Sequence, residues 1–250
     1  MISYFTLSKT GGRKINEDAV GTKQADDCIF CVLADGLGGH NAGEVASNLA
    51  VEKSISVFNE SKDLLDTGIS MSDILTNCMM ESQLAILEEQ KKQNRIDEMK
   101  TTAVMLLIEK NTAQWAHVGD SRLYRFFNNE VAERTLDHSV PQMLVLQGEI
   151  TEKQIRRHVD RNRLTRAMGT EWDTPKFSLS ETSEAPPMTS FLLCTDGFWE
   201  LIEEKDMCRC LKKAKTPENW LLDMEKIVLK NGRRKNMDNY SAVAVFIRDN

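Results

Sequence analysis

The sequence predicts an α+β protein in which helices pack on antiparallel sheets. Short β-branched or aromatic runs bounded by turn formers, at residues 28–34, 114–118, 191–195 and 241–247, read as buried strands. Helical periodicity is confined to grouped segments, at 43–59, 72–94, 201–213 and 217–230. Strands therefore come in runs with helices between them, and strict βαβ alternation is absent, which favours antiparallel over parallel sheets.

Along the chain, residues 2–8, 19–24 and 28–34 form a β-rich opening, broken by Gly11-Gly12 and Asp26-Asp27. After Gly38-Gly39 the period turns helical, with Val45, Leu49, Lys53 and Val57 on one face. A second helix is expected from Ser72, as its cap, to about Asn94. Ile74, Leu75, Cys78, Met79, Ala85 and Ile86 form its stripe, while Glu88, Glu89, Lys91 and Lys92 offer opposite-charge pairs. Residues 101–109, 112–118 and 122–127 then read as an antiparallel meander with tight connections at Lys110-Asn111 and Gly119-Asp120. From His138 to Gly169 the β pattern lapses into a polar, basic stretch. Strands return near Phe177 and at 191–195, helices occupy 201–213 and 217–230, and the last strand is 241–247.

The 250 residues carry 41% hydrophobic and 28% charged side chains, with no Pro/Gly/Ser-rich linker, so a single domain (1–250) with a small inserted subdomain is expected. No apolar stretch approaches the length that a hydrocarbon core of about 30 Å demands, and the N-terminus lacks a signal pattern, so a cytoplasmic location is expected. A net charge of −6 argues against nucleic-acid and membrane partners. Six cysteines include Cys28 and Cys31, but residues three apart on a strand face opposite ways, so the pair reads as reduced thiols rather than a zinc or redox site.

The chemistry lies in acidic motifs: Asn16-Glu17-Asp18, Asp35-Gly36, Gly119-Asp120-Ser121-Arg122, Asp196-Gly197 and Asp238-Asn239. Most adjoin an apolar run, so their carboxylates fall at sheet edges where a rigid backbone meets solvent. Each Asp-Gly alone is an ordinary turn; the set points to one carboxylate-built metal site. Hard oxygen donors, with no paired spacing among His40, His117, His138 and His158, favour Mg²⁺ or Mn²⁺ over zinc, copper or haem. Asp35 is the natural bridge between two ions, because it ends the most apolar strand and precedes Gly36. Two adjacent ions lower the pKa of water between them and neutralise phosphate-ester oxygens. Arg13, five residues before Asp18, supplies a guanidinium fork for the phosphate.

Arg13-x-x-Asn16-Glu17-Asp18, Asp35-Gly36-x-Gly38-Gly39, Gly119-Asp120-Ser121-Arg122, Leu164-Thr165-Arg166-Ala167-Met168-Gly169, Thr195-Asp196-Gly197 and Asp238-Asn239 occur in an order that resembles the metal-dependent protein serine/threonine phosphatases of the 2C (PPM) type, in their compact bacterial branch. The resemblance runs from about Gly11 to Ile247. It implies a four-layer α-β-β-α sandwich of two antiparallel sheets flanked by helices. It also implies that Asp35 and Gly36 hold the metal pair, that Glu17 and Asp18 contribute directly or through water, and that Asp196 and Asp238 complete the first ion's shell. Asp120, with Asp196, would offer a third metal position, and Arg13 would bind phosphate. Many eukaryotic members carry His after Asp-Gly, proposed as the acid for the leaving group; Leu37 stands here and cannot donate, leaving that proton to a metal-bound water ahead of His40, which reads as a helix-start residue.

Residues 147–166 correspond to the flap of bacterial relatives, within a flap subdomain at about 138–170. They carry Lys153, Arg156, Arg157, Arg161, Arg163 and Arg166, which serve either to recruit phosphopeptides or as a solvated helix paired with Glu149, Glu152 and Asp160. The basic run 230–235 reads as a solvated helix end. The expected function is removal of phosphate from phosphoserine and phosphothreonine proteins by a monomeric enzyme using two or three Mn²⁺ or Mg²⁺ ions, opposing a eukaryotic-like Ser/Thr kinase. The rivals are a catalytically inactive pseudophosphatase that binds without turnover, disfavoured because every carboxylate position is filled, and a phosphatase of a sigma-factor partner-switching pathway, which shares the chemistry and differs in substrate.

Overall fold

The computed structural model describes residues 1–25, 28–38, 42–96, 98–233 and 236–249. Strands β1 (Ile2–Lys9), β2 (Asp18–Ala25) and β3 (Cys28–Leu37) lead to helices α1 (Ala42–Ser61) and α2 (Met71–Lys92). Next come β4 (Lys100–Thr101), β5 (Ala103–Glu109), β6 (Thr112–Val118), β7 (Arg122–Phe127) and β8 (Glu130–Arg134). Two short helices, α3 (Val140–Leu146) and α4 (Glu152–Ile155), precede β9 (Ser178–Leu179), β10 (Ser183–Glu184) and β11 (Thr189–Cys194). The chain then forms α5 (Asp196–Trp199), α6 (Glu204–Leu211), α7 (Pro217–Gly232) and β12 (Tyr240–Ile247). No described helix is long and apolar enough to cross a membrane.

Two antiparallel sheets result, ordered β1-β12-β11-β7-β8 and β10-β6-β5-β3-β2, with β4 on β3 and β9 on β6. Period-two alternation assigns their faces. In β3, Ile29, Cys31 and Leu33 enter the layer between the sheets, where they meet Val104, Leu123, Phe191, Leu193 and Val243. Phe30, Val32 and Ala34 point the other way, against Ala46, Ala50, Phe58 and Ile74 of α1 and α2. Phe198, Met207, Trp220 and Met224 of α5 to α7 cover the outer face of the first sheet, against Tyr124, Phe126, Leu192 and Phe246. The layers are therefore α-β-β-α. Burial on both faces explains why the central strands read as continuous apolar runs rather than as alternating ones. Cys31 lies between the sheets and Cys28 on the helix side, as opposite faces require.

Five sequence expectations need correction. The buried face of α1 is Ala42, Ala46, Ala50, Ser54 and Phe58, while Val45, Leu49, Lys53 and Val57 are half-buried on its flank. Small residues face inward because α1 is pressed against both α2 and β3. The cap of α2 is Ser70, in a capping box with Asp73, and not Ser72, whose hydroxyl instead bonds Gln114. In the same helix Ala85 is half-buried, with Ser82, Gln83 and Gln90 completing the inward face. The meander breaks after its second strand: β5 and β6 pair, but β7 belongs to the other sheet and pairs with β11 and with β8, a strand that the sequence did not predict. Gly119, at φ +96°, makes that crossing, a backbone conformation that favours glycine. Finally, residues 147–166 contain only the four-residue α4 and irregular chain, not an amphipathic helix. Arg156 and Arg161 leave the segment to pair with Glu204 and Glu200, and Glu152 is taken by Arg134 of β8. The Asp26-Asp27 turn, Gly39, His40, and Arg234 and Lys235 of the basic run lie outside the described residues.

Candidate metal and phosphate site

A cavity of about 220 Å³ opens where the two sheets meet, lined by Arg13, Glu17, Asp35, Gly36, Asp120, Asn162, Leu164, Asp196, Asp238 and Asn239 among others. Chain segments far apart in sequence reach it by separate routes. Asp18 opens β2 and lies opposite Asp35 in the β2–β3 register. Asp35 sits inside β3, not beyond its end, yet β3 leaves its β5 partner after Leu33 and resumes pairing with β4 at Gly36. In that gap Thr102 clamps Asp35: its backbone N–H donates to the Asp35 carbonyl at 2.9 Å, and its hydroxyl accepts from the Asp35 N–H at 3.0 Å. Asp120 arrives on the crossing between sheets, and Asp196 begins α5 directly after β11. Gly36 is required by close backbone approach, because a Cβ there would collide with the carbonyls of Gly43 and Glu17.

The loop that carries Arg13 and Glu17 is held by Asn239. Its side-chain amide donates to the carbonyls of Thr10 and Ile15 at 2.8 and 2.9 Å, and its oxygen accepts from the Glu17 N–H at 2.8 Å. Arg13 donates to Asp238 Oδ2 at 2.7 Å while remaining half exposed. Behind the cavity, the Thr195 hydroxyl donates to Asp18 Oδ2 at 3.1 Å and accepts from the Ser241 N–H at 3.0 Å. Asp18 Oδ1 is buried with no partner. The indole N–H of Trp199 donates to the Asp120 carbonyl at 3.0 Å, and the Arg122 guanidinium lies 3.4 Å over the same ring.

Crowding sets the electrostatics. Burial, and then Asp18, Asp196, Asp120 and Asp238, push the Asp35 carboxyl well above its ordinary range. Burial, and then Asp196 and Asp137, do the same to Asp120. Burial raises Asp18 to about 7. Asp196 is raised to about 6, first by burial and then by Asp238, and is held down partly by a hydrogen bond from Asp35. Glu17 is also raised, by burial first. Among the described residues no three Asp, Glu, His or Cys side chains stand already gathered as a metal site; the carboxylates line a wall and repel one another.

A stability profile follows. In the unfolded chain these Asp carboxyls ionise near 3.8, whereas in the fold Asp196 keeps its proton to about 6 and Asp18 to about 7. Between those limits the folded protein binds more protons than the unfolded chain. The stability those protons support is intact below about pH 4 and lost as pH rises through about 6 to 7. Thermal unfolding in EDTA is expected to give a Tm that falls from about pH 5 to about pH 8, with the increment from millimolar Mn²⁺ growing over the same interval. A flat Tm with no Mn²⁺ increment would remove the carboxylate repulsion from the description.

Of the eight residues expected from the sequence, Arg13, Glu17, Asp35, Gly36, Asp120, Asp196 and Asp238 line the cavity, and Asp18 is buried away from its wall. Sequence reasoning missed the clamps Asn239, Thr195 and Thr102. The first two were visible as members of the Asp-Asn and Thr-Asp-Gly motifs, whereas Thr102 carries no signal. Asn162 and Leu164 were also missed as lining residues, because nothing local says that this stretch folds over the acidic loops.

A sequence profile described as Protein phosphatase 2C matches residues 9–237. The chain is 32% identical over 219 residues to the serine/threonine phosphatase stp of Listeria monocytogenes serotype 4b (strain F2365), covering 86% of this chain and 85% of that protein. The serine/threonine phosphatase Stp1 from Staphylococcus aureus superposes with a TM-score of 0.85 at 28% identity, over 100% of this chain and 96% of that one. The catalytic domain of the phosphatase PstP, solved in complex with two manganese ions, gives a TM-score of 0.78 at 26% identity and covers 99% of both chains.

Proposed function

Because this chain belongs to the protein phosphatase 2C family, we propose that it is a Mn²⁺- or Mg²⁺-dependent phosphatase of phosphoserine and phosphothreonine proteins. The observation that carries this reading is that one cavity is lined by Arg13 and five carboxylates, those of Glu17, Asp35, Asp120, Asp196 and Asp238. The donor set fits divalent cations: it consists of hard oxygens, it is strained by like charge, and it lies beside an Asp18 oxygen that is buried without a partner. Asp35 and Gly36 would hold the two metal ions, Asp196 and Asp238 would complete the coordination of the first ion, Glu17 and Asp18 would contribute directly or through water, and Asp120 with Asp196 would offer a third metal position. Such a pair supplies Lewis-acid neutralisation of phosphate oxygens and a lowered pKa for the attacking water.

The chain's own groups do the rest. Arg13, half exposed at the cavity wall, turns its guanidinium from Asp238 to the phosphate. Asn239 fixes the loop that presents Arg13 and Glu17, and Thr195 fixes Asp18. Leu37 lines the cavity with no proton to give, so it shapes the wall and plays no acid role. Residues 138–170 act as a flap within one domain, a reading supported by the contribution of Asn162 and Leu164 to the lining. A Ser/Thr kinase of eukaryotic type is the enzyme whose product this chemistry consumes.

Arg13→Ala is expected to raise KM for a phosphothreonine peptide by about tenfold or more, with a smaller change in kcat and unchanged Mn²⁺ affinity. An unchanged KM would return Arg13 to a surface ion pair with Asp238.

A further inference from the structure

We propose that Asn162 is a second phosphate-binding residue, its side-chain amide donating to the substrate phosphate alongside Arg13. This rests on the phosphatase reading and deepens it. The cavity wall is short of donors. Five of its side chains are carboxylates, Leu37 and Leu164 are apolar, and Gly36 and Gly38 have no side chain. Among the described lining residues only Arg13, Asn162 and Asn239 carry side-chain N–H groups. The amide of Asn239 is spent, with its nitrogen on the carbonyls of Thr10 and Ile15 and its oxygen on the Glu17 N–H. Arg13 shares its fork with Asp238. Asn162 makes no hydrogen bond to any described residue and is exposed at the wall.

The backbone around Asn162 is fixed although its side chain is free. The N–H of Arg161 donates to the His158 carbonyl at 3.2 Å and that of Arg163 to the Asp160 carbonyl at 2.9 Å, so Asn162 sits between two tied neighbours. The Arg163 carbonyl accepts from Val140 at 2.9 Å, the Thr165 N–H donates to the His138 carbonyl at 2.8 Å, and Leu164 bridges to Ser139. The Arg161 guanidinium pairs with Glu200 at 3.3 Å, just after the helix that starts at Asp196. An uncommitted donor on a tied backbone, in the lining of an acidic cavity, is placed for an anion that the carboxylates alone would repel. An amide suits the position because it donates without adding a cation that would pair with those carboxylates and block the site.

The test uses the full chain loaded with Mn²⁺ and compares Asn162→Ala and Asn162→Asp with the wild type. A phosphothreonine peptide, an aryl phosphate and inorganic phosphate as inhibitor serve as probes. The expected result for Asn162→Ala is a rise of about tenfold in KM for both substrates and in the inhibition constant of phosphate, with kcat changed less. Asn162→Asp, nearly isosteric but without the donor, is expected to bind all three more weakly than Asn162→Ala, an order that a purely structural role would not give. The rise in Tm that phosphate gives the Mn²⁺-loaded protein should shrink in the same order. That readout needs no turnover, so a wild type that releases no phosphate would fail the phosphatase reading while leaving Asn162 separately testable. Weakened peptide alone, with aryl phosphate and inorganic phosphate unaffected, would move Asn162 to peptide recognition and overturn the assignment. So would an Asp variant that matches or exceeds the Ala variant, or constants within twofold of wild type throughout.

Discussion

Asp35→Asn is expected to lower turnover of a phosphothreonine peptide by more than about a hundredfold while making the ion-free protein more stable. The two effects have one cause. Asp35 lies against Asp18, Asp196, Asp120 and Asp238, which together with burial hold its proton well above the ordinary carboxyl range. A divalent cation relieves that repulsion, so the same charge that destabilises the ion-free fold supplies affinity for the ion. Asparagine keeps the shape and removes the charge. In EDTA its Tm should exceed that of the wild type, by a margin that widens as pH rises, because the wild-type carboxyl must ionise and the amide cannot. Asp196→Asn should behave in the same way, with a smaller gain in Tm, since Asp196 is raised only to about 6. Near-normal rates in both variants, or a lower Tm in EDTA, would mean that these carboxylates do not form the site. Structural residues seldom trade stability for activity in this direction, which separates this variant from a merely misfolded one.

Arg122→Met should cost about 3 kcal/mol of stability, because it leaves a buried carboxylate without its guanidinium partner. Arg122 and Asp137 are both fully buried and joined by two parallel bonds, Nε to Oδ1 at 2.8 Å and an Nη to Oδ2 at 2.7 Å. The guanidinium also donates to the Tyr124 hydroxyl at 3.0 Å and lies on the Trp199 ring. Methionine fills the volume but leaves Asp137 with only the longer contact to Arg134 at 3.5 Å. For a chain of this length the loss corresponds to a fall in Tm of roughly 6 to 12 °C. Replacing the pair together, Arg122→Met with Asp137→Leu, should cost less than either change alone, since no unpaired charge stays buried. Equal Tm values for wild type and Arg122→Met would show that the pair contributes nothing net. Arg122 lies two residues from Asp120 and stacks on the ring whose N–H holds the Asp120 carbonyl, so Mn²⁺ affinity should weaken along with stability.

The acidic motifs were legible because each is local: a carboxylate, a turn-forming or polar neighbour and an adjacent apolar run lie within a few residues. Helices packed on antiparallel sheets were legible from grouped strand and helix patterns, whereas the count of two sheets and their four-layer stacking came from the resemblance to the phosphatase family. What the sequence hid depends on contacts between distant segments. The apolar stripe expected on α1 failed because tight helix–sheet and helix–helix packing selects Ala46, Ala50 and Ser54 over larger residues, which move to the flank. The crossing at Gly119 looked like a hairpin turn, because a glycine at positive φ serves both a turn and a change of sheet. Asn162 shows the same limit. Its neighbourhood reads as a basic, irregular stretch, and only the tertiary ties to Val140, His138 and Glu200 bring it to the cavity.

The most direct measurement is phosphate release from a phosphothreonine peptide by protein stripped with EDTA and then titrated with Mn²⁺. No release in EDTA, with activity restored as Mn²⁺ fills the site, is the expected result; a folded protein that binds Mn²⁺ and releases no phosphate at any concentration would contradict the assignment and leave a binding module in its place.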